Sequence, residues 1–204
     1  PPMSGSGRRW PSIGSWWRRS GGHRVVPMLE DVTYLPATGR QFLDVLDEVT
    51  DLYLDVRSGL DTNSSIHTRT SFVDRTTRQA GQEGFSGVLA RVGGTLVGFA
   101  FGLPLPPGQW WTGKADPPPP EILDAPKFAV IELDVAEPWR GRGIGRTLHD
   151  TLLDGRPEPY AILTTTPGHP ARTMYARWGW VRVGTAQHAP DAPVMDQLVL
   201  RLND

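Results

Sequence analysis

The sequence contains no cysteine, which excludes disulfide bonds, thiolate metal sites and a cysteine nucleophile. It has no run of about eighteen consecutive apolar residues, so no transmembrane helix is predicted. Charges nearly cancel, because 21 basic and 22 acidic residues leave a formal net charge of -1. That balance gives no overall attraction to nucleic acid or to an anionic membrane. The 204 residues, 38% of them hydrophobic, predict one folded domain with a buried core.

The first 27 residues differ from the rest of the chain. They contain no acidic residue, three tryptophans and five arginines: Arg8, Arg9, Arg18, Arg19 and Arg24. We therefore predict a basic, flexible extension at 1–27 and a folded domain at 28–204. The alternative is a basic aromatic arm that contacts nucleic acid or another partner. The polar stretch after Arg19 interrupts the apolar segment that an export signal requires.

Apolar periodicity predicts the main elements. Helices are expected at 38–56, 63–79, 145–154 and 170–178, and strands at 29–35, 84–92, 95–103, 128–135, 160–165, 180–185 and 195–202. Eight prolines between 104 and 126 predict a long segment without regular structure. Trp110 and Trp111 lie within it. We expect them to fasten this segment to the core, with a lid or acceptor wall as the alternative.

A glycine-rich run, Arg140-Gly141-Arg142-Gly143-Ile144-Gly145, lies between a predicted strand and a predicted helix. Glycine allows the backbone to approach a ligand closely, and the first N–H groups of a helix attract anions. Arg140, Arg142 and Arg146 add positive charge. The run therefore predicts a phosphate or pyrophosphate site, with an ordinary strand-to-helix turn as the alternative. The nucleotide P-loop pattern is absent, and Arg146 replaces the third glycine of the dinucleotide fingerprint.

With its neighbouring segments, this run resembles the GNAT superfamily of acyl-CoA-dependent N-acyltransferases. The family signature Arg/Gln-x-x-Gly-x-Gly/Ala fits residues 140–145, and Ile131-Glu132-Leu133-Asp134-Val135 resembles the preceding strand. Downstream, residues 171–180 resemble the family segment Ala-x-x-x-Tyr-x-x-x-Gly-Phe. The resemblance covers about residues 29–202. Two departures are Gly168, where many members carry Asn, and the long proline-rich insertion.

The resemblance implies an α/β fold: a mixed, mostly antiparallel sheet with splayed central strands, flanked by about four helices. Acetyl-CoA is implied as co-substrate, entering between the splayed strands, and no metal is expected. Pantetheine would pair with the strand around Leu133 and Val135, and the pyrophosphate would rest on the glycine-rich run. The implied cofactor-binding residues are Leu133, Asp134, Val135, Arg140, Gly141, Arg142, Gly143, Ile144, Gly145, Arg146, Ala171 and Tyr175.

Acyl transfer to an amine requires a base, because alkylammonium groups titrate near pH 10. Strand alternation places Ile131, Leu133 and Val135 on one face and two acids, Glu132 and Asp134, on the other. Carboxylates on a central strand are costly unless they are solvated or paired, so we expect both to face the cleft. Glu132 is the first candidate for the base, directly or through a water, and Asp134 is the second. The alternative is a structural hydrogen bond or salt bridge.

Two further roles follow from the resemblance. The tyrosine of the downstream motif reaches the CoA sulfur in the family, so Tyr175 is the candidate general acid, with packing as the alternative. The backbone N–H of Val135 is the implied donor to the developing oxyanion. The five histidines show no metal-ligand spacing.

The sequence thus predicts an enzyme that moves acetyl from acetyl-CoA directly to a primary amine of a small molecule. The acidic remainder of the chain favours a cationic acceptor. Alternatives are a protein amine as acceptor, or a non-catalytic CoA-binding module whose basic arm contacts nucleic acid. No membrane partner and no nucleic-acid partner are expected. The sequence is compatible with a homodimer but identifies no interface. The lack of an export signal and the use of CoA predict a cytoplasmic location.

Overall fold

The computed structural model describes residues 31–58, 67–188, 190 and 192–202. The extension predicted at 1–27 lies outside the described residues, as do the start of the first predicted strand and residues 63–66 of the second predicted helix.

One eight-stranded sheet organises the described residues, in the order β1-β2-β3-β5-β6-β8-β7-β4. Its strands are β1 Thr33–Ala37, β2 Ser86–Val92, β3 Thr95–Leu105, β4 Lys114–Ala115, β5 Lys127–Val135, β6 Tyr160–Thr165, β7 Val181–Gln187 and β8 Met195–Arg201. Every neighbouring pair is antiparallel except β5 and β6. The predicted mixed, mostly antiparallel α/β sheet is confirmed.

Six α-helices lie in the described part of the chain: α1 Gly39–Leu43, α2 Leu46–Arg57, α3 Arg69–Ala80, α4 Pro120–Leu123, α5 Ile144–Leu153 and α6 Pro170–Arg177. The single helix predicted at 38–56 is wrong. Thr38 caps α1 reciprocally with Gln41, and the chain leaves helical geometry at Val45 before α2 begins. Four of the helices have eight or more residues, which matches the predicted number.

The central strands β5 and β6 separate soon after they meet. Their parallel pairing joins Lys127, Phe128 and Ala129 to the first three residues of β6 and then ends. Within the described residues, the rest of β5 therefore has β3 as a partner on one side and no strand on the other. The splay that the resemblance implied is present, and it creates an opening in the middle of the sheet.

A β-bulge lies in β5 at the edge of this opening. Phe101 pairs with Glu132 and Gly102 pairs with Val130, so Ile131 has no partner in the register. Leu133 packs with the cluster under α5, whereas Ile131 packs with the two clusters of the opposite face. The simple alternation predicted for residues 131–135 is therefore wrong at Ile131, because the bulge adds one residue to the strand.

The proline-rich insertion has more regular structure than predicted. β3 continues to Leu105, and the insertion contains β4 and α4. Lys127 is fully buried, and its Nζ donates to the carbonyl oxygens of Gln109 (2.9 Å) and Leu123 (3.1 Å). Trp110 and Trp111 pack on a cluster formed by Ile122, Ala129, Ile162 and Val199. The tryptophans thus fasten the insertion to the sheet, as predicted.

The two faces of the sheet carry different partners. One face packs against α5 and α6 through Leu148, Leu152 and Tyr175. The other packs against α1, α2 and α3 through an aromatic cluster that includes Phe42, Phe72 and Phe99. Across the described ranges, no helix is both long enough and apolar enough to span a bilayer.

Candidate active site

Backbone groups of β5 point into the opening. The N–H of Ala136 donates to the carbonyl of Val97 at 2.9 Å, which identifies that pair as hydrogen-bonded in the antiparallel ladder. Because bonded and non-bonded pairs alternate, Leu133 and Val135 fall at non-bonded positions. Their N–H and C=O groups are therefore directed away from β3 and toward the opening between β5 and β6.

The glycine-rich run forms an open cradle at the end of β5. Gly141 and Gly143 have φ angles of 73° and 86°, which strongly favour glycine. Gly143 is the N-cap of α5 and supplies no side-chain hydrogen bond, so the first N–H groups of α5 have no side-chain cap. A Cβ at either glycine would meet no atom within 4 Å. The space above this helix terminus can therefore receive an anion.

The three arginines of the cradle are held in different ways. Arg140 donates from Nε to the carbonyl oxygen of Val135 at 3.0 Å, which ties the loop back to β5. The Arg142 guanidinium lies 4.8 Å from the centre of the Trp139 ring. Arg146 pairs with Asp150 at 2.6 Å, one turn further along α5. The cradle is thus lined with positive charge.

Tyr175 approaches the opening from α6. It is buried and makes edge-to-face contacts with Trp178 and Trp180 at centroid distances of 5.6 and 5.8 Å. Burial raises the pKa of the Tyr175 hydroxyl, and the charges of Asp134 and Glu132 raise it further. The hydroxyl is therefore protonated at neutral pH. Ala171, the first residue of the same motif, packs on the α5 cluster.

The two carboxylates of β5 meet two arginines from the helices on the other face. Arg57 of α2 donates from Nη1 to Oδ2 of Asp134 (2.7 Å) and from Nη2 to Oε2 of Glu132 (2.8 Å). Arg75 of α3 donates from Nη2 to Oε1 of Glu132 at 2.6 Å. Both oxygens of Glu132 are therefore ion-paired. Among the described residues, Oδ1 of Asp134 has no hydrogen-bond partner.

This network extends to an aromatic layer. The buried Tyr53 hydroxyl accepts from Arg75 at 3.0 Å and lies 2.7 Å from Nδ1 of His67. The Arg57 guanidinium stacks 3.6 Å from the centre of the Tyr53 ring. Burial lowers the pKa of His67, and the charges of Arg57 and Arg75 lower it further. A neutral His67 can accept the Tyr53 proton, which leaves the phenol oxygen free to accept from Arg75.

The protonation of Asp134 is set by opposing influences. Burial is the largest and raises the pKa of its carboxyl, the Arg57 charge lowers it, and the neighbouring Glu132 charge raises it again. The net result lies above the ordinary range of an aspartate.

The structure gathers the predicted residues around one opening, but sequence reasoning missed Arg57, Arg75, Tyr53 and His67. The only feature of the sequence that indicated such residues was the pair of acids on a central strand, because buried carboxylates need cations or hydrogen-bond donors beside them. Over the parts of the chain that the structure describes, no group of three or more His, Asp or Glu side chains could hold a metal ion.

Comparison with known proteins decides the family. Residues 46–180 match the acetyltransferase (GNAT) family. The chain belongs to this family. Over 111 residues it is 32% identical to a GCN5-like protein acetyltransferase of Mycobacterium tuberculosis (strain ATCC 25618 / H37Rv), a match that covers 48% of this chain and 54% of that protein. The chain thus spans about half the length of this curated GNAT relative.

Solved structures of other proteins share the fold. A protein from Pyrococcus horikoshii OT3 superposes with a TM-score of 0.57 at 21% identity, over 85% of this chain and 99% of that one. An aminoglycoside N-acetyltransferase in complex with CoA gives a TM-score of 0.54 at 14% identity, over 78% of this chain and 93% of that one. At these identities the likeness shows the fold alone.

Proposed function

We propose that this GNAT protein transfers an acetyl group from acetyl-CoA to a primary amine, without a covalent enzyme intermediate. The observation that carries the proposal is the opening between β5 and β6. The anion cradle lies at its end, and Tyr175 and the β5 carboxylates Glu132 and Asp134 lie close enough for their charges to interact.

The residues present suit acetyl-CoA, which supplies an activated acetyl thioester. The uncapped N-terminus of α5, the open space at Gly141 and Gly143, and the nearby arginines would hold the pyrophosphate. The outward N–H and C=O groups of Leu133 would pair with the amides of pantetheine, and the outward N–H of Val135 stays available to the acetyl oxygen. Ala171, at the start of α6, completes the proposed set. The CoA bound to the structurally similar aminoglycoside acetyltransferase supports this assignment.

Transfer joins the acceptor nitrogen to the acetyl carbon and breaks the bond from that carbon to sulfur. The amine must lose a proton, which we assign to Asp134, directly or through a water. Asp134 has an oxygen without an ion-pair partner among the described residues, and its pKa is raised by burial. Glu132, the first candidate from the sequence, remains the alternative, although guanidinium groups occupy both of its oxygens.

Two donors complete the proposed chemistry. Tyr175 gives its proton to the departing sulfur, since its hydroxyl is protonated at neutral pH. The N–H of Val135 would donate to the oxygen that becomes negative during transfer. A proton then passes from Asp134 back to Tyr175. An acceptor that arrives as an ammonium ion also releases one proton to solvent before it attacks, which balances the transfer.

The acceptor that we propose is a small-molecule amine, with a protein amine as second choice. Glu132 and Asp134 have side-chain exposures of only 12% and 9%. The amine of the acceptor must therefore be carried on a narrow, unbranched group to reach them. An aminoglycoside acetyltransferase among the similar structures agrees with a small acceptor. The protein acetyltransferase among the relatives keeps the second class open.

The test has two stages and uses the full chain. First, the melting temperature is followed across an acetyl-CoA titration, where a saturable rise is expected. Second, CoA release is measured with an aminoglycoside, an aliphatic diamine and a lysine-containing peptide. Acetyl-CoA binding with turnover of the first two amines supports the proposal, and turnover of the peptide alone reverses the order of acceptors. The absence of any acetyl-CoA-dependent rise would refute the cofactor site.

A further inference from the structure

We propose that Arg57 is a positioning residue: it bridges Glu132 and Asp134 and fixes the carboxylate that takes the acceptor's proton. The inference rests on the proposed acetyl transfer and adds a residue from α2, far from either family motif.

The bridge is specific to Arg57. Its two terminal nitrogens divide between the two acids, at 2.7 Å to Asp134 and 2.8 Å to Glu132. Arg75 reaches Glu132 at 2.6 Å, and among the described residues it forms no ion pair with Asp134. Arg57 is therefore the one arginine in the described structure that ion-pairs with both acids.

The two acids need such a bridge because they repel each other in a buried setting. They lie two residues apart on the same strand and interact electrostatically. Without an intervening cation, desolvation and like charge would favour protonation of one of them. The charged and titratable groups that face the pair come from α2, the turn before α3, α3, α6 and the loop after β5: Arg57, Tyr53, His67, Arg75, Tyr175 and Arg140.

Arg57 is itself held in place by Tyr53. The Nη1 atom of Arg57 donates to the carbonyl oxygen of Tyr53 at 3.2 Å, and the guanidinium plane lies on the Tyr53 ring. A lysine at this position would keep the charge but lose the planar fork and the stacking. Charge and geometry can therefore be separated by experiment.

The experiment compares Arg57→Gln and Arg57→Lys in the full chain with a matched control, Arg91→Lys. Arg91, like Arg57, makes two hydrogen bonds to carboxylate oxygens, but both go to one acid, Glu48. Its side chain is 18% exposed, against 16% for Arg57. The readout is the pH titration of carbon-13-labelled aspartate carboxyl groups by NMR. The Asp134 signal is assigned with Asp134→Asn, and the variants are compared by melting temperature.

We expect Arg57→Gln to raise the Asp134 midpoint by about one pH unit or more, Arg57→Lys to raise it less, and Arg91→Lys to leave it unchanged. With the best amine found above, the acid limb of kcat/KM should move upward in parallel, while KM for acetyl-CoA stays constant. Should Arg57→Gln fail to fold, the Asp134 midpoints of Arg57→Lys and Arg91→Lys are compared instead, and a shift in Arg57→Lys alone supports the proposal.

An unmoved Asp134 midpoint in both Arg57 variants would overturn the proposal, as would an equal shift in Arg91→Lys. If the Asp134 midpoint shifts but the pH profile of kcat/KM does not, the role of Arg57 in fixing the proton-accepting carboxylate would also be overturned. The titration requires no turnover. A wild-type protein without activity, in which the midpoint still responds to Arg57, would refute the proposed function and support the bridge.

Discussion

Gly143→Ala separates the cradle's role in binding from its role in folding. Gly143 has a φ angle of 86°, where an L-residue is strained by about 1–2 kcal/mol. A Cβ there meets no protein atom within 4 Å, so no clash adds to this cost. The free energy of unfolding should therefore fall by about 1–2 kcal/mol. Ligand binding should suffer more, because the new methyl group and any backbone relaxation affect the surface that receives the anion.

Thermal shifts measure this difference. At a hundredfold excess over its dissociation constant, acetyl-CoA stabilises the wild-type fold by about 2.7 kcal/mol. For a chain of this size, that corresponds to a rise of about 5–11 °C. If Gly143→Ala weakens binding about a hundredfold, the same ligand concentration gives only about 0.4 kcal/mol. The shift then falls to about 1 °C.

Gly155→Ala is the matched control. Gly155 follows the other end of α5, about 15 Å along the helix axis from the cradle. Its φ of 64° is also positive, and a Cβ there also meets nothing within 4 Å. The variant should lose similar stability and keep the full acetyl-CoA shift. A Gly143→Ala protein that retains the wild-type shift would refute the assignment of the cradle.

Three further outcomes are expected. Tyr175→Phe should lower kcat by about 100-fold or more with an unchanged acetyl-CoA thermal shift, and CoA release at wild-type rate would remove Tyr175 as general acid. Lys127→Met should lower the free energy of unfolding in urea by about 1–3 kcal/mol, because the hydrogen bonds from its ammonium group to the carbonyls of Gln109 and Leu123 are lost. Burial lowers the pKa of His149, so the unfolded chain binds its proton more readily. Stability should therefore decline as pH falls below about 6.5, and His149→Gln should reduce that slope.

Local chemistry made several elements predictable from the sequence. Pro170 and Gly179 bracket α6, and His169 caps it by accepting from the N–H of Ala171. The cradle was visible because its glycines and arginines are consecutive. The closing strands near 181 and 195 likewise contain the β-branched and other apolar residues that strands favour, among them Val181, Val183, Leu198 and Val199.

The errors arose where tertiary packing overrode local pattern. Gly39 lies so close to the end of α3 that a Cβ would come within 1.9 Å of the Ala80 carbonyl oxygen. That contact fixes the path of α1, which periodicity alone had merged with α2. The bulge at Ile131 is set by pairing with β3, about thirty residues earlier in the chain, and a single strand sequence carries no sign of it.

The charge balance at the site is the clearest case of information absent from local sequence. Arg57 and Arg75 lie on two helices far along the chain from Glu132, and neither belongs to a recognisable motif. Yet two buried acids on a central strand demand compensation, so their cations must come from whichever elements cover that face. Those elements also border the opening where an acceptor would enter. A cationic acceptor would therefore meet two guanidinium groups beside the acids. Net charge alone predicts that additional positive charge on the acceptor favours binding, and these guanidinium groups weaken that prediction.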